Sequence, residues 1–177
     1  STVDSPNPEN PDAFQKAVKL GKEVRADILI ATDPDCDRIA VAVLNHDQQA
    51  KNINHNEKDS FYHTSNNYTF LNGNQTGALL VDYILNRKQQ DSQLPEEGFI
   101  MKTIVTSEMG RVVADSYSIP TYDTLTGFKF ICNKAMELEK QGKTFLFGYA
   151  ESIGYLTGNF VQEKDAVICA MLLVEMA

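Results

Sequence analysis

The 177 residues are enough for one ordinary domain or two small ones, and a composition of 42% hydrophobic and 23% charged residues is typical of a globular chain, not a disordered or collagen-like one. Acidic residues outnumber basic ones by 24 to 16, and the resulting formal net charge of −8 disfavours binding to nucleic acid or to an anionic membrane surface. An anionic ligand would therefore need local basic groups. No apolar run reaches the roughly 18 to 20 residues that a membrane-spanning helix requires.

The cysteines and the chain ends indicate where the protein works. Cys36, Cys132 and Cys169 are odd in number, and their spacing fits neither a zinc site nor a disulfide framework. The first residues lack the basic and apolar regions of a signal peptide. The apolar stretch 166–177 stops without a glycine cap or a polar tail, although helices usually close with a cap. These features predict a cytoplasmic location and a fragment of a longer chain.

Hydrophobic periodicity and turn residues predict the elements of the first half. In chain order these are a helix at 11–25, a strand at 28–31, a tight acidic loop at 33–37, a strand at 39–44, a short strand at 61–64 within an exposed polar connection, and a helix at 76–85.

A polar segment at 88–97 is typical of a linker, and a regular alternation follows it. The predicted elements there are strands at 99–105, 119–122 and 144–147, alternating with helices at 107–117, 128–141 and 163–176. Such alternation is typical of a parallel sheet covered by helices. The sequence therefore predicts two consecutive α/β layer domains, residues 1–92 and 98–177, with mixed, parallel-rich sheets.

The acidic loop carries the clearest chemical signal. Asp33, Asp35 and Asp37 alternate on one sharp loop between two apolar strands, so their carboxylates can converge on one point. Converging carboxylates repel each other unless a cation joins them, and oxygen-only donors favour a hard ion such as Mg²⁺. Arg38 follows directly and could hold a phosphate group beside that ion.

Three other kinds of loop share some of these residues. Asp and Pro also form plain solvated turns, but such a turn does not need three aligned acids followed by an arginine. An EF-hand loop is excluded, since Arg38 stands where its glycine belongs and Leu44 where its glutamate belongs. A haloacid-dehalogenase-type phosphatase, which begins with Asp-x-Asp after a strand, lacks the third acid and the arginine at these spacings, and it remains a minor alternative.

Six motifs in order carry a resemblance to a known family. Three segments resemble the second domain of α-D-phosphohexomutases: SPNPENPDAF at 5–14, DPDCDR at 33–38 and LNGNQTGALL at 71–80. Three further segments are similar to the third domain of the phosphoglucomutase branch: KTIVTS at 102–107, TLTGFKFI at 124–131 and FGYAESIGYLTG at 147–158. The resemblance implies an enzyme that interconverts hexose 1-phosphate and hexose 6-phosphate through a phosphoserine and a bisphosphate intermediate.

The resemblance also implies roles for individual residues. The three aspartates would hold Mg²⁺, Arg38 would stabilise charge on the transferred phosphoryl group, and Lys164 would be a general acid or base near the accepting hydroxyl. The implied ligands are glucose 1-phosphate, glucose 6-phosphate and glucose 1,6-bisphosphate, with the glucose branch favoured over mannose. The implied substrate-binding residues are Thr126, Gly127, Phe128, Lys129, Glu151 and Ser152.

One residue departs from the family pattern. Two consecutive glutamates usually precede the serine of the sugar-recognition loop, and the first of them is Ala150 here. Losing that acceptor would leave a sugar hydroxyl unpaired, at a cost on the order of 1 to 3 kcal/mol. Lys102 and Arg111 are weaker candidates for anion contact, since surface solvation explains them equally well.

Two parts of the family's active site are missing from these residues. The phosphoserine loop of the first domain, similar to T-A-S-H-N-P, does not occur, and neither does the R-x-S-G-T-like phosphate-binding loop of the fourth. We therefore expect this chain to be inactive alone and to need domains 1 and 4 of the same parent. The alternative is a non-catalytic, metal-dependent phosphosugar-binding module, which Ala150 favours and the uncapped last helix disfavours.

Overall fold

The computed structural model describes residues 5–45, 68–159 and 161–177. The strands are β1 (Ile28–Thr32), β2 (Ile39–Leu44), β3 (Tyr68–Leu71), β4 (Gly98–Thr103), β5 (Thr121–Thr124), β6 (Thr144–Ala150) and β7 (Gly154–Thr157). A 3-10 turn at Pro11–Phe14 precedes the helices α1 (Gln15–Val24), α2 (Gly73–Gln90), α3 (Met109–Ser116), α4 (Phe128–Glu139) and α5 (Ala166–Met176).

Local side-chain bonds set where the helices begin. The Asn10 side chain accepts the N–H of Asp12, which confirms the predicted start of the first helical segment. Asn72 and Gln75 form a reciprocal capping box, so α2 begins three residues before the predicted start at 76. Asp165 caps α5 through two backbone N–H groups, and this helix therefore begins later than the predicted residue 163.

The first sheet has the order β1-β2-β3, and both of its pairings are antiparallel. Helix α1 packs against β1. The aromatic rings of Phe14 and Phe70 meet edge to face at 4.9 Å between centroids and close this part of the core. The predicted strand at 61–64 lies outside the described residues. Strand β3 was not predicted.

The second sheet has the order β5-β4-β6-β7, in which β4 runs parallel to both β5 and β6, and β7 is antiparallel to β6. Alternate residues of β4 serve opposite faces. Phe99 and Met101 belong to the core beneath α4, whereas Ile100 belongs to the core that α2, α3 and α5 share. The predicted α/β class is confirmed, and its parallel pairings lie in this sheet. Strand β7 was not predicted.

Helix α5 joins the two sheets, and α2 packs beside it. Helix α2 packs against α3 and β6, and α5 packs against β7 and also against β1 and β2. One continuous hydrophobic core therefore links the first sheet to one face of the second. The division into domains at 1–92 and 98–177 stays a prediction. Within the described ranges, no helix combines the length and the apolar character needed to cross a bilayer.

Tyr149 of β6 offers a test of this core. Its ring lies against Gly77 and Gly110, and its hydroxyl is buried with no hydrogen-bond partner among the described residues. Replacing Tyr149→Phe removes that unsatisfied group, so we expect the free energy of unfolding at pH 7 to rise by about 1 kcal/mol. Tyr68→Phe should have the opposite effect, since the Tyr68 hydroxyl donates to the carbonyl of Ala26 at 2.6 Å. Urea denaturation measures both.

The same phenol predicts a pH dependence. Burial raises the pKa of Tyr149 to about 12, whereas the pKa of a tyrosine in the unfolded chain is about 10. The unfolded chain loses this proton first, so the stability contribution is complete below pH 10 and is lost as the pH rises towards 12. Tyr149→Phe should therefore lose less stability than the parent over this interval. Equal losses in both proteins would contradict the assignment.

Candidate functional site

The Asp33 carboxylate organises the acidic loop. Asp33 is 3% exposed, and its Oδ1 accepts the backbone N–H groups of Asp37 and Arg38, each at 3.1 Å. Its Oδ2 lies 2.7 Å from the Arg38 Nε. One carboxylate thus fixes both the backbone of the loop and the first cationic side chain beside it.

The structure brings the three predicted metal ligands together. One carboxylate oxygen from each of Asp33, Asp35 and Asp37 lies within 4.8 Å of the others. Three carboxylates with no nitrogen or sulfur donor among them form the donor set that hard divalent ions prefer. The residues present therefore fit Mg²⁺, and their assignment as its ligands stays a prediction.

Two cationic side chains partly neutralise this cluster. Arg38 pairs with Asp33, and the Lys164 Nζ lies 2.6 Å from the Oδ2 of Asp37 and 3.2 Å from a carboxylate oxygen of Glu163. These are the two residues predicted to be catalytic. Arg38 belongs to the acidic loop, whereas Lys164 lies just before α5, so the cluster draws its charges from both halves of the chain.

These pairs shift the pKa values in opposite directions. Burial would raise the pKa of Asp33, but the hydrogen bonds from Arg38 outweigh it and lower that pKa. Burial and the neighbouring Asp33 raise the pKa of Asp37 despite its pair with Lys164. For Lys164, burial favours a lower pKa, but the bonds to Asp37 and Glu163 raise it. In the structure as described, Lys164 is therefore a protonated side chain and not a free base.

Two backbone bonds tie the acidic loop and the start of β2 to the turn after β6 and to the start of α5. The Ile39 N–H donates to the carbonyl of Ile153 at 3.1 Å, and the Ala166 N–H donates to the carbonyl of Cys36 at 3.0 Å. Ile153 has a φ of 54°, which is a strained conformation for a β-branched residue. Such strain persists where the surrounding contacts determine the backbone, and it is concentrated at functional sites.

The predicted sugar-recognition turn lies between β6 and β7. Ser152 is exposed at its tip, whereas Ala150, at the position of the missing glutamate, is 6% exposed. The Glu151 carboxylate is directed at the hydroxyls of Thr103 and Thr106. The structure thus places the turn beside the acidic loop through Ile153, but Glu151 has protein partners of its own. Both threonines belong to the motif KTIVTS at 102–107, but the sequence assigned them no role.

The other predicted substrate loop leads into α4. Gly127 has a φ of 115°, a conformation that glycine adopts readily, and it stands at the N-cap of the helix. Phe128 is buried and lies under the Lys164 Nζ, 5.8 Å from its ring centroid. Thr126 and Lys129 are exposed, and Lys129 extends over the ring of Phe130. Phe128 therefore connects this loop to the acidic cluster.

The weaker candidates Lys102 and Arg111 belong to an internal ion network. Lys102 is 0% exposed, and its Nζ lies 2.8 Å from Glu108 and 3.1 Å from Asp123. Arg111 pairs with the same two acids. In this arrangement both cations are paired with protein carboxylates, and Lys102 is fully buried whereas Arg111 is partly exposed.

The fold and the acidic cluster define an α/β protein in which three carboxylates converge on one loop beside the turn after β6. Residues 72–177 match the family model of phosphoglucomutase/phosphomannomutase α/β/α domain III, and residues 1–46 match that of α/β/α domain II. The chain belongs to the phosphoglucomutase/phosphomannomutase family, which confirms the resemblance carried by the six motifs.

Comparisons with individual proteins agree. Over all 177 residues the chain is 38% identical to a phosphoglucomutase of Staphylococcus aureus (strain USA300), and it spans 28% of that protein's length. A phosphoglucomutase/phosphomannomutase family protein from Burkholderia thailandensis superposes with a TM-score of 0.61 at 18% identity, over 97% of this chain and 30% of that one.

A third relative was solved with ligands. An Aspergillus fumigatus N-acetylphosphoglucosamine mutase, in complex with GlcNAc-6P and magnesium, superposes with a TM-score of 0.55 at 16% identity, over 94% of this chain and 35% of that one. At such identities these superpositions establish the shared fold.

Lys164 provides a test of the metal assignment. A divalent ion bound by the three aspartates must compete with the Lys164 ammonium for Asp37, because both are bound by the same carboxylate. We expect Lys164→Met to tighten Mn²⁺ binding roughly fivefold, the equivalent of about 1 kcal/mol for a partly exposed ion pair. Electron paramagnetic resonance of free Mn²⁺ measures the affinity directly.

Lys19→Met is the matched control, since it removes the same charge from an exposed site on α1. An equal gain in both variants would mean that only net charge matters. Asp37→Asn should weaken Mn²⁺ binding, because it removes one of the three anionic donors.

The cysteines allow a second test. Burial raises the pKa of Cys132 to about 11 and that of Cys169 to about 12, whereas Cys36 is half-buried in the acidic loop. Thiolates react with disulfide reagents and neutral thiols do not. At pH 8 we therefore expect the folded chain to react rapidly at Cys36 alone. Cys36→Ser should abolish the fast phase of the reaction. The measurement is the absorbance increase after a chromogenic disulfide reagent is added. Rapid labelling of two thiols would contradict the burial of Cys132 and Cys169.

Proposed function

We propose that this chain is part of a phosphoglucomutase that interconverts glucose 1-phosphate and glucose 6-phosphate through a phosphoserine and glucose 1,6-bisphosphate. The chain spans 28% of the Staphylococcus aureus relative, and it contains neither the phosphoserine loop nor the R-x-S-G-T-like loop. Those parts would come from domains 1 and 4 of the same parent, and the 177 residues alone would be inactive. A cytoplasmic location belongs to this proposal.

One observation carries the proposal. The acidic loop, Lys164 and the turn after β6 are held together by the bonds Ile39–Ile153, Cys36–Ala166 and Asp37–Lys164. Chemistry on a phosphorylated sugar needs a site for charge and a site for hydroxyls at a fixed separation, because misplacement of the reacting groups is costly. A tied pair of loops meets that requirement.

The residues of this chain would contribute mainly electrostatics and positioning. Asp33, Asp35 and Asp37 would hold Mg²⁺, which when bound neutralises negative charge on a phosphoryl group. Arg38 would present its guanidinium to phosphate oxygens from a position fixed by Asp33. This division of labour suits phosphoryl transfer, in which preorganised positive charge supplies most of the catalysis.

Lys164 would act on the accepting hydroxyl. Its raised pKa keeps it protonated, so it would hold that hydroxyl or donate a proton. A role as base would require its pair with Asp37 to break. The loop 126–129 would contact the substrate through Thr126, Lys129 and the N–H groups at the start of α4, with Phe128 packed beneath Lys164.

Ala150 favours a second candidate, a non-catalytic module that binds a phosphosugar in a metal-dependent way. A buried methyl group replaces the expected acid there, and Glu151 is engaged with two threonines, so an acceptor for sugar hydroxyls is lost. Such a module would keep phosphate and metal recognition and lack turnover.

Phosphorus NMR on the full-length parent distinguishes the mutase from the non-catalytic binding module. We expect it to convert glucose 1-phosphate to glucose 6-phosphate when primed with glucose 1,6-bisphosphate, and we expect the 177-residue chain to convert none. Asp35→Asn should lower kcat/KM by about 100-fold or more, because it removes charge from the cluster that holds the metal.

Glu96→Gln is the control for Asp35→Asn, since it makes the same charge change at an exposed position outside the site. Binding of glucose 1-phosphate by the full-length parent without any turnover would overturn the mutase proposal in favour of the module. Equal turnover of mannose 1-phosphate would overturn the preference for glucose.

A further inference from the structure

Two buried hydroxyls hold the Glu151 carboxylate. The Oγ1 atoms of Thr103 and Thr106 each lie 2.9 Å from the Glu151 Oε2 and 2.7 Å from one another. The Thr106 Oγ1 also accepts the backbone N–H of Glu151 at 3.2 Å. Both threonines are almost fully buried. The first residue of the sugar-recognition turn is thus bound through its side chain and its backbone.

The segment that carries these hydroxyls is fixed from below by Lys102. The Lys102 Nζ donates to the carbonyl of Thr106 at 3.0 Å and lies 3.4 Å from that of Thr103. Its charge is balanced by Glu108 and Asp123. A buried lysine that is paired in this way holds its partners firmly, because breaking either pair would leave an uncompensated charge in the interior.

The same segment reaches the end of β5, which leads into the other predicted substrate loop. The Ile104 N–H donates to the carbonyl of Thr124 at 2.9 Å, two residues before Thr126. On the opposite side, the Glu151 carbonyl approaches Gly73 so closely that a Cβ on Gly73 would collide with it. The segment 103–106 therefore touches the sugar-recognition turn and the end of β5, and Glu151 is confined from two directions.

We propose that Thr103 and Thr106 are positioning residues for the sugar-recognition turn, and that Glu151 serves as their anchor and not as a ligand of the sugar. The proposal rests on the proposed function, since it assigns the exposed Ser152 and the turn backbone to the substrate. It accounts for a chain in which Ala150 provides no acid while Glu151 is retained.

The hydroxyls are what the proposal requires, so substitutions that separate hydroxyl from shape test it. Thr103→Val and Thr106→Val keep the shape and remove the bonds, whereas Thr103→Ser and Thr106→Ser keep the bonds. In the full-length parent we expect each valine variant to lower kcat/KM for glucose 1-phosphate by about 10- to 100-fold, mainly through KM. The serine variants should stay close to the parent.

Thr121→Val is the matched control. Thr121 is also buried, in β5 of the same sheet, but its hydroxyl has no partner among the described residues. We expect this variant to match the parent in KM and kcat. If one valine variant fails to fold, as a thermal melt would show, the other valine variant decides the question with its own serine counterpart.

Hydrogen exchange of the amides at 151–154 gives a readout that does not need turnover. We expect exchange there to accelerate at least about tenfold in the valine variants, and not in the serine variants or in Thr121→Val. If the parent proves inactive, the proposed function falls, and this exchange still tests the anchor. Unchanged exchange, or equal effects of valine and serine, would overturn the proposal.

Discussion

Repulsion among three carboxylates confined within 4.8 Å is the constraint on which the arrangement of the site depends. Cations from two parts of the chain reduce this repulsion. Arg38 comes from the loop itself, and Lys164 comes from the segment before α5. One of these two cations belongs to the second half of the chain, so part of the charge on the acidic loop is balanced only by residues from that half.

Much of the fold could be predicted because the signals were local. The paired apolar runs around the acidic loop and the alternation after residue 98 both follow from hydrophobic periodicity, and the strand and helix types they indicated agree with the structure. The four-residue strands β3 and β7 were missed. Both are antiparallel edge strands, and their partners β2 and β6 are contributed by the tertiary structure.

In the site, too, local features could be predicted from the sequence and long-range contacts could not. Spacing alone brought Asp33, Asp35 and Asp37 to one loop, and the structure converges them as expected. The bonds of Glu151 to Thr106 and Thr103 could not be derived in this way, since these residues are 45 and 48 positions from Glu151 in the chain. The burial of Lys102 could not be derived from spacing either. A lysine or a threonine appears polar and exposable until the fold supplies the groups that satisfy it.

The two backbone bonds that join the acidic loop and β2 to the turn after β6 and to α5 have an evolutionary consequence. They are made by peptide groups, and every amino acid supplies the carbonyl while every one except proline supplies the N–H. Cys36, Ile39, Ile153 and Ala166 can therefore drift in identity without loss of the bonds themselves. Main-chain atoms set the spacing between the acidic loop and the turn after β6, so side chains on either loop can change without altering that spacing.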